Sequence, residues 1–200
     1  MEIREVLSAL EMEAERDGVP ILRGAERQLL LEAAETVRPA RILEVGTAIG
    51  FSALLMAERF PEAEIDTIEM DNRRWARAEE AVKAAGCAGR VRCHLGDAAE
   101  VIPRLTGVYD FLYLDGPKGQ YLRHLRLTEP LLSSCAAVAA DNVLFRGMVR
   151  SDAPPPRRYR TLVGRLRDYL AYAEARYDTV VFEEGDGLAV SRPRNWIKKQ

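Results

Sequence analysis

Apolar residues recur every three or four positions through residues 2–16 and again through 25–37, the spacing of amphipathic helices. Asp17-Gly18-Val19-Pro20 breaks the pattern between them. From residue 41 the pattern changes. Short apolar runs at 41–45, 64–69, 91–95, 109–114 and 135–140 predict strands. Helical spacing predicts helices over 50–59, 72–85, 98–105, 119–132 and 157–175. Two last strands, 178–183 and 187–192, flank Gly185-Asp186-Gly187, which suits a hairpin turn. Such alternation predicts an α/β fold: a doubly wound, mostly parallel sheet with helices on both faces. The closing hairpin adds an antiparallel edge strand. Residues 1–37 precede the first strand and are expected to cover the site as a helical lid.

The chain has 200 residues, 48% of them hydrophobic, which suits one domain over 1–200 with a packed core. Its formal net charge is −2, unevenly spread. From Arg146 to Arg167 seven arginines face one acid, Asp152, a net of +6, so the rest of the chain carries −8. Cys87, Cys93 and Cys135 are odd in number and lack zinc spacing, as expected of reduced thiols in a cytoplasmic protein. The charged start, MEIREVLSALEMEAERDG, lacks the apolar core of a signal peptide, and no apolar run is long enough to span a bilayer. No membrane association is expected.

The first predicted strand runs into Glu44-Val-Gly46-Thr-Ala-Ile-Gly50-Phe-Ser52. Glycines at a strand-to-helix turn admit a ligand close to the backbone, and the helix N-terminus offers free N–H groups. Glu-x-Gly-x-x-x-Gly differs from the Gly-x-Gly-x-x-Gly that cradles a pyrophosphate. A ligand with a carboxylate and no phosphate is preferred, with the Ser52 hydroxyl as a possible partner for that carboxylate. Glu69 ends the second strand, where a ribose diol would be gripped. Asp97, after the third, is placed to accept from an adenine amino group, with the Ala98 N–H nearby. Gly46 and Gly50 could instead make a tight turn only, and Glu44 could be a buried structural carboxylate. Acids at 44, 69 and 97, one at each strand end, favour the cofactor reading.

The fourth strand leads to Asp115-Gly-Pro-Lys118 and the fifth to Asp141-Asn142. Neighbouring parallel strands open into one crevice at their C-terminal ends. Asp115, Asp141 and Asn142 would converge there as hard oxygen ligands for Mg²⁺, Mn²⁺ or Ca²⁺. Read alone, Asp141-Asn142 is better explained as an ordinary turn after a strand; beside Asp115 the metal reading is preferred. Lys118, three residues after Asp115, is positioned to act as general base toward a substrate hydroxyl. His94 and His124 show no ligand spacing; His94 is expected on a strand and His124 on one face of a helix.

Glu44-x-Gly46-x-x-x-Gly50-x-Ser52, Glu69, Asp115-x-x-Lys118 and Asp141-Asn142 resemble the metal-dependent O-methyltransferases typified by the catechol and caffeoyl-CoA enzymes. The resemblance runs from about Val19 to Arg192. It implies a seven-stranded sheet and S-adenosylmethionine (SAM) as cofactor. It implies Asp115, Asp141 and Asn142 as metal ligands and Asp115 and Lys118 as the catalytic pair. Leu22, Glu44, Gly46, Ser52, Glu69, Asp97, Ala98 and Asp115 would surround the cofactor, with Leu22 as a lid. Two departures stand out. Pro117 occupies the place of the bulky aromatic that catechol enzymes carry before the lysine, and Phe51 stands where many relatives have Tyr.

Asp115-Gly-Pro-Lys-Gly-Gln-Tyr121, Asp141-Asn-Val-Leu-Phe-Arg-Gly147 and Gly185-Asp-Gly-Leu-Ala-Val190 are similar to a narrower group, the bacterial tRNA 5-hydroxyuridine methyltransferases. That resemblance implies a tRNA anticodon loop as partner. Arg146, just past the metal loop, and Arg157 and Arg158, beside the triple proline, are candidate phosphate contacts, and a homodimer is expected. A small catechol-like or CoA-linked phenol is the alternative acceptor, and a solvated basic helix face would explain the same arginines. A non-catalytic binding module is disfavoured by the full set of Asp115, Lys118, Asp141 and Asn142.

Overall fold

Strand β1 (Arg41–Val45) occupies the interior of the sheet, paired in parallel with β2 (Glu64–Glu69) on one side and β4 (Tyr109–Leu114) on the other. The computed structural model describes residues 2–22 and 24–194. Beyond β2 lies β3 (Val91–Leu95), and beyond β4 lies β5 (Leu132–Ala140). The chain closes with a hairpin of β6 (Tyr177–Phe182) and β7 (Leu188–Pro193). The seven strands follow the order β3-β2-β1-β4-β5-β7-β6. The antiparallel strand β7 therefore inserts between β5 and the outermost β6.

Side-chain alternation sends each strand's residues to two separate cores. One face carries Ile42, Ile65, Phe111, Tyr113, Ala137, Ala139 and Val190, packed against α1 (Ile3–Asp17), α2 (Gly24–Glu35) and α3 (Phe51–Arg59). The opposite face carries Leu43, Ile68, Leu112, Leu114, Val138 and Ala189. There it meets α5 (Ala98–Val101), α6 (Tyr121–Thr128) and α7 (Arg160–Arg176). α4 (Asn72–Ala84) packs beside β2 and β3. Both faces of the sheet are covered, as the strand–helix alternation predicts.

Several boundaries differ from the periodicity, and proline explains two of them. The helix expected over 98–105 ends at Val101 and tightens into a 3₁₀ turn at Ile102–Arg104, because Pro103 has no N–H to continue the α ladder. The helix expected over 119–132 is α6 flanked by 3₁₀ turns at Lys118–Gln120 and Glu129–Leu131, the second containing Pro130. The N-terminal helices themselves are packed into the core: Val6, Leu10 and Ala14 of α1 are buried, and α2 lies on β5 and β7. Their connector residues Pro20, Ile21 and Leu22, with Glu26 of α2, reach the cavity at the strand ends. Among the described residues no helix is long and apolar enough to cross a membrane.

Away from that cavity, Asp66 of β2 is buried in a polar knot. Arg41 Nη2 donates to it at 2.9 Å and the Tyr109 hydroxyl at 2.8 Å, and His94 Nε2 is hydrogen-bonded to it at 2.8 Å. The Arg41 guanidinium also stacks 4.6 Å from the centroid of the Tyr109 ring. Burial would push the Asp66 carboxyl up, but hydrogen bonds from His94, Tyr109 and Arg41 outweigh it and hold it at about 2. A carboxyl depressed in the folded state stabilises above its unfolded value, about 3.9, and that stability is lost as the pH falls through the folded value. Asp66→Asn should cost about 3 kcal/mol at pH 7, as removal of one member of a buried charge network does. In urea melts the gap to the unaltered chain should narrow between about pH 4 and pH 2. A constant gap across that range would rule out the ionised Asp66 as the source.

Candidate active site

The C-terminal ends of β1 to β5 open into one cavity of about 750 Å³. The β1–α3 loop forms its floor. Gly46 has φ +108°, and a Cβ there would lie 2.4 Å from the Asp115 carbonyl oxygen, so only glycine lets the β1 and β4 ends approach this closely. Its N–H donates to the Ile68 carbonyl at 2.9 Å, tying the loop to β2.

Glu44 lies beneath this loop, fully buried. It accepts hydrogen bonds from the Ser52 hydroxyl and, at 2.5 Å, from the Thr67 hydroxyl. Thr67 in turn shares a hydrogen bond with Thr47 at 2.6 Å. Burial pushes the Glu44 carboxyl up to about 7, with the two hydroxyls pulling the other way. Neither Glu44 nor Ser52 lines the cavity. The Ser52 hydroxyl, read from the sequence as a carboxylate partner, is engaged with Glu44 inside the protein. Both residues fasten the loop from below, the structural alternative that the sequence left open for Glu44.

Glu69 does face the cavity. Its carboxylate is clamped from two sides by backbone: the Ala48 N–H donates to Oε2 and the Asp71 N–H to Oε1, both at 2.9 Å. Ala48 reaches it from a left-handed conformation, φ 47°. A carboxylate oxygen can accept more than one hydrogen bond, so each retains capacity for a hydroxyl. Asp97 caps α5 by accepting from the Ala99 N–H at 2.8 Å through Oδ1, and its other oxygen carries no such duty. Asp97, Ala98 and Gly96 all line the cavity, as do Gly46 and Leu22.

Asp115 and Asp141 meet at the ends of the adjacent strands β4 and β5, with Asn142 beside them. Burial and the neighbouring Asp141 push the Asp115 carboxyl up, while Lys118 pulls it down. Burial pushes Asp141 up as well, against a hydrogen bond from the Asn142 N–H at 2.8 Å. Lys118 Nζ lies 3.9 Å from Asp115 Oδ1. The Asp141 carbonyl accepts from the buried Tyr121 hydroxyl at 3.0 Å, which pins the β5 end to α6. Among the described residues no group of three or more His, Cys, Asp or Glu side chains forms a metal cage. Two carboxylates and an amide nonetheless fit a hard divalent cation, which would offset their mutual repulsion and keep open positions for water or substrate oxygen.

The arginines stand outside this cavity. Arg146, Arg157 and Arg158 are exposed and do not line it. Arg158 stacks 4.5 Å from the centroid of the Tyr159 ring, and Arg146 lies 5.8 Å from the same centroid. Tyr159 meets Phe145 edge-on at 5.2 Å. Other members of the basic stretch serve the fold: Arg167 donates to the carbonyls of Met148, Val149 and Ser151, and Arg150 pairs with Glu183. Phe51 is buried under the Arg27 guanidinium, 4.7 Å from its ring centroid, and Pro117 lines the cavity. Sequence reasoning missed Met70, Arg74, Gln120 and His124 in the wall. Met70 adjoins Glu69, so its place at a strand end was legible; His124 enters only through the packing of α6 on α5.

Comparison with known proteins bears on the family and the fold. The O-methyltransferase family model matches residues 7–194. A protein named transmembrane O-methyltransferase homolog from Mus musculus is 38% identical over 149 residues, 70% of this chain and 56% of its own. The chain thus spans about half the length of several curated relatives it matches. A probable O-methyltransferase of Mycobacterium tuberculosis is 33% identical over 169 residues, covering 78% of this chain and 70% of its own. Among solved structures, a putative caffeoyl-CoA O-methyltransferase from Staphylococcus aureus superposes with a TM-score of 0.85 at 28% identity, covering 94% of this chain and 91% of that one. An O-methyltransferase from Streptomyces achromogenes involved in tomaymycin synthesis, solved in complex with SAM, gives 0.80 at 25% identity, covering 94% and 89%. With a family match over almost its whole length and a strand-end cavity of this form, the chain belongs to the O-methyltransferase family.

Proposed function

We propose that this chain is a SAM-dependent, divalent-metal-dependent O-methyltransferase. The observation that carries the reading is the convergence of Glu69, Asp97, Asp115, Asp141, Asn142 and Lys118 on one cavity. Glu69 and Asp97 suit a nucleoside at the β2 and β3 ends, and the acids at the β4 and β5 ends suit a cation beside it. The SAM-bound relative supports the cofactor.

Bound SAM would supply an electrophilic methyl on a sulfonium. A cation held by Asp115, Asp141 and Asn142 would supply a Lewis acid that favours ionisation of the acceptor hydroxyl. The chain's own residues do the rest. Glu69, fixed by the Ala48 and Asp71 amides, receives the ribose hydroxyls and sets the depth of the cofactor. Gly46 and Gly116 keep the floor low enough for it. Lys118, as the free amine, takes the acceptor proton and becomes an ammonium. Leu22 and its neighbours Pro20 and Ile21 close over the cavity and exclude water. Alignment of the acceptor oxygen with the methyl is the main source of rate.

The acceptor we favour is 5-hydroxyuridine at the wobble position of tRNA. The motif resemblance supports it, as does the exposed set of Arg146, Arg157 and Arg158 around Tyr159 and Phe145, since single-stranded RNA is held by phosphate contacts and stacking. A small catechol-like or CoA-linked phenol is the second reading. It is favoured by the position of those arginines outside the cavity and by the structural likeness to a putative caffeoyl-CoA enzyme.

Two experiments test these assignments. Glu69→Ala should weaken SAM binding at least tenfold by calorimetry, since it removes a charged partner of the ribose hydroxyls; unaltered affinity would remove Glu69 from the cofactor site. With labelled SAM, methyl transfer should vanish under a chelator and return with Mg²⁺ or Mn²⁺. Hydroxyuridine-containing tRNA should be the better acceptor, with transfer falling steeply as salt rises. Arg157→Glu with Arg158→Glu should impair transfer to tRNA and spare a free phenol. Efficient catechol methylation with none on tRNA would decide for the small phenol, and full turnover under chelation would exclude the metal.

A further inference from the structure

We propose that His124 reads the cofactor's purine together with Asp97: its imidazole N–H donates to an adenine ring nitrogen flanking the amino group from which Asp97 accepts. This rests on the SAM reading and goes beyond it, since it makes a helix residue outside the strand-end loops a determinant of base identity.

Three observations converge on His124. His124 is one of the residues that line the cavity, although it is only 1% exposed. Neither Nδ1 nor Nε2 has a hydrogen-bond partner. α6 packs against α5, and Asp97, the cap of α5, is the acid whose charge His124 feels. A buried imidazole without partners is costly, and a phenylalanine would fill the space without that cost. The Tyr169 hydroxyl also lacks a partner, but Tyr169 does not line the cavity.

The protonation state agrees. Burial pushes the His124 imidazole down to about 4, against the pull of Asp97, so near neutral pH the ring is uncharged with one N–H donor and one acceptor nitrogen. Asp97 offers only acceptors. An acceptor beside a donor complements adenine, whose amino group donates and whose ring nitrogens accept. The packing of α6 explains why the base would be read from two sides: Asp97 comes from the end of β3, His124 from the helix after β4. Pro117, small where relatives of the catechol type carry an aromatic, leaves base recognition more dependent on polar contacts.

The test is calorimetric binding of S-adenosylhomocysteine and its 1-deaza and 7-deaza analogues, each lacking one ring nitrogen flanking the amino group. The unaltered chain should bind one of the two analogues about tenfold more weakly than the parent, the effect of one lost hydrogen bond. His124→Phe should bind the parent about tenfold more weakly and should no longer distinguish it from that analogue. His124→Asn, which keeps a side-chain N–H, should recover part of the discrimination. In the unaltered chain, the ¹⁵N resonance of one His124 ring nitrogen should shift when the parent binds and stay put with the discriminated analogue, a signal that needs no variant to fold. Equal binding of all three ligands by the unaltered chain, or discrimination that survives in His124→Phe, would overturn the proposal. Failure of S-adenosylhomocysteine to bind the unaltered chain at all would overturn the SAM reading first, and this inference with it.

Discussion

Asp115 and Asp141 are carboxylates at the ends of neighbouring parallel strands, Asp141 buried and Asp115 half-buried at the cavity. Each is pushed up by burial, and Asp115 also by its partner's charge. A fold does not bring two such groups together without cost. The pairing of β4 with β5 fixes their separation, and Gly46 lets the β1 loop pass within reach of the Asp115 backbone. Tyr121 pins the other side through the Asp141 carbonyl. Lys118, 3.9 Å from Asp115, supplies part of the compensation from the protein itself, and the proposed divalent cation would supply the rest.

The remaining polar groups divide into those that face the cavity and those that hold it in shape. Ser52, Glu44, Thr67 and Thr47 form a chain of hydrogen bonds under the glycine loop. Glu69 receives two backbone N–H groups, which fix its carboxylate before any ligand arrives. Preorganisation of this kind lowers the ordering cost of binding. The cavity is thus built on rigid strand ends, while the surface that would meet a large substrate, Arg146 to Tyr159, lies on the loop after β5 and the turn before α7.

Much of this was legible in the sequence because strands and their terminal loops obey local rules. Five strand ends in a parallel sheet must share one edge, so acids at 69, 97, 115 and 141 could be assigned to a common crevice from their positions alone. What the sequence could not show was orientation. Ser52 opens helix α3 after the glycine loop and Glu69 ends β2, yet one turns inward to Glu44 and the other toward the cavity. That difference depends on helix α3 packing, which buries Ser52. His124 was readable only as one face of a helix; its place in the wall depends on α6 meeting α5. Likewise the seven arginines form one basic run in sequence, but Arg167 and Arg150 are tied to carbonyls and to Glu183, so the run does not act as a single patch.

Mn²⁺ titration followed by electron paramagnetic resonance, with S-adenosylhomocysteine present, tests the proposed role of Asp115 and Asp141 most directly. The account predicts one Mn²⁺ site per chain, lost in Asp115→Asn and in Asp141→Asn while the fold is retained. Absence of a stoichiometric site, or a site that persists in both variants, would contradict it.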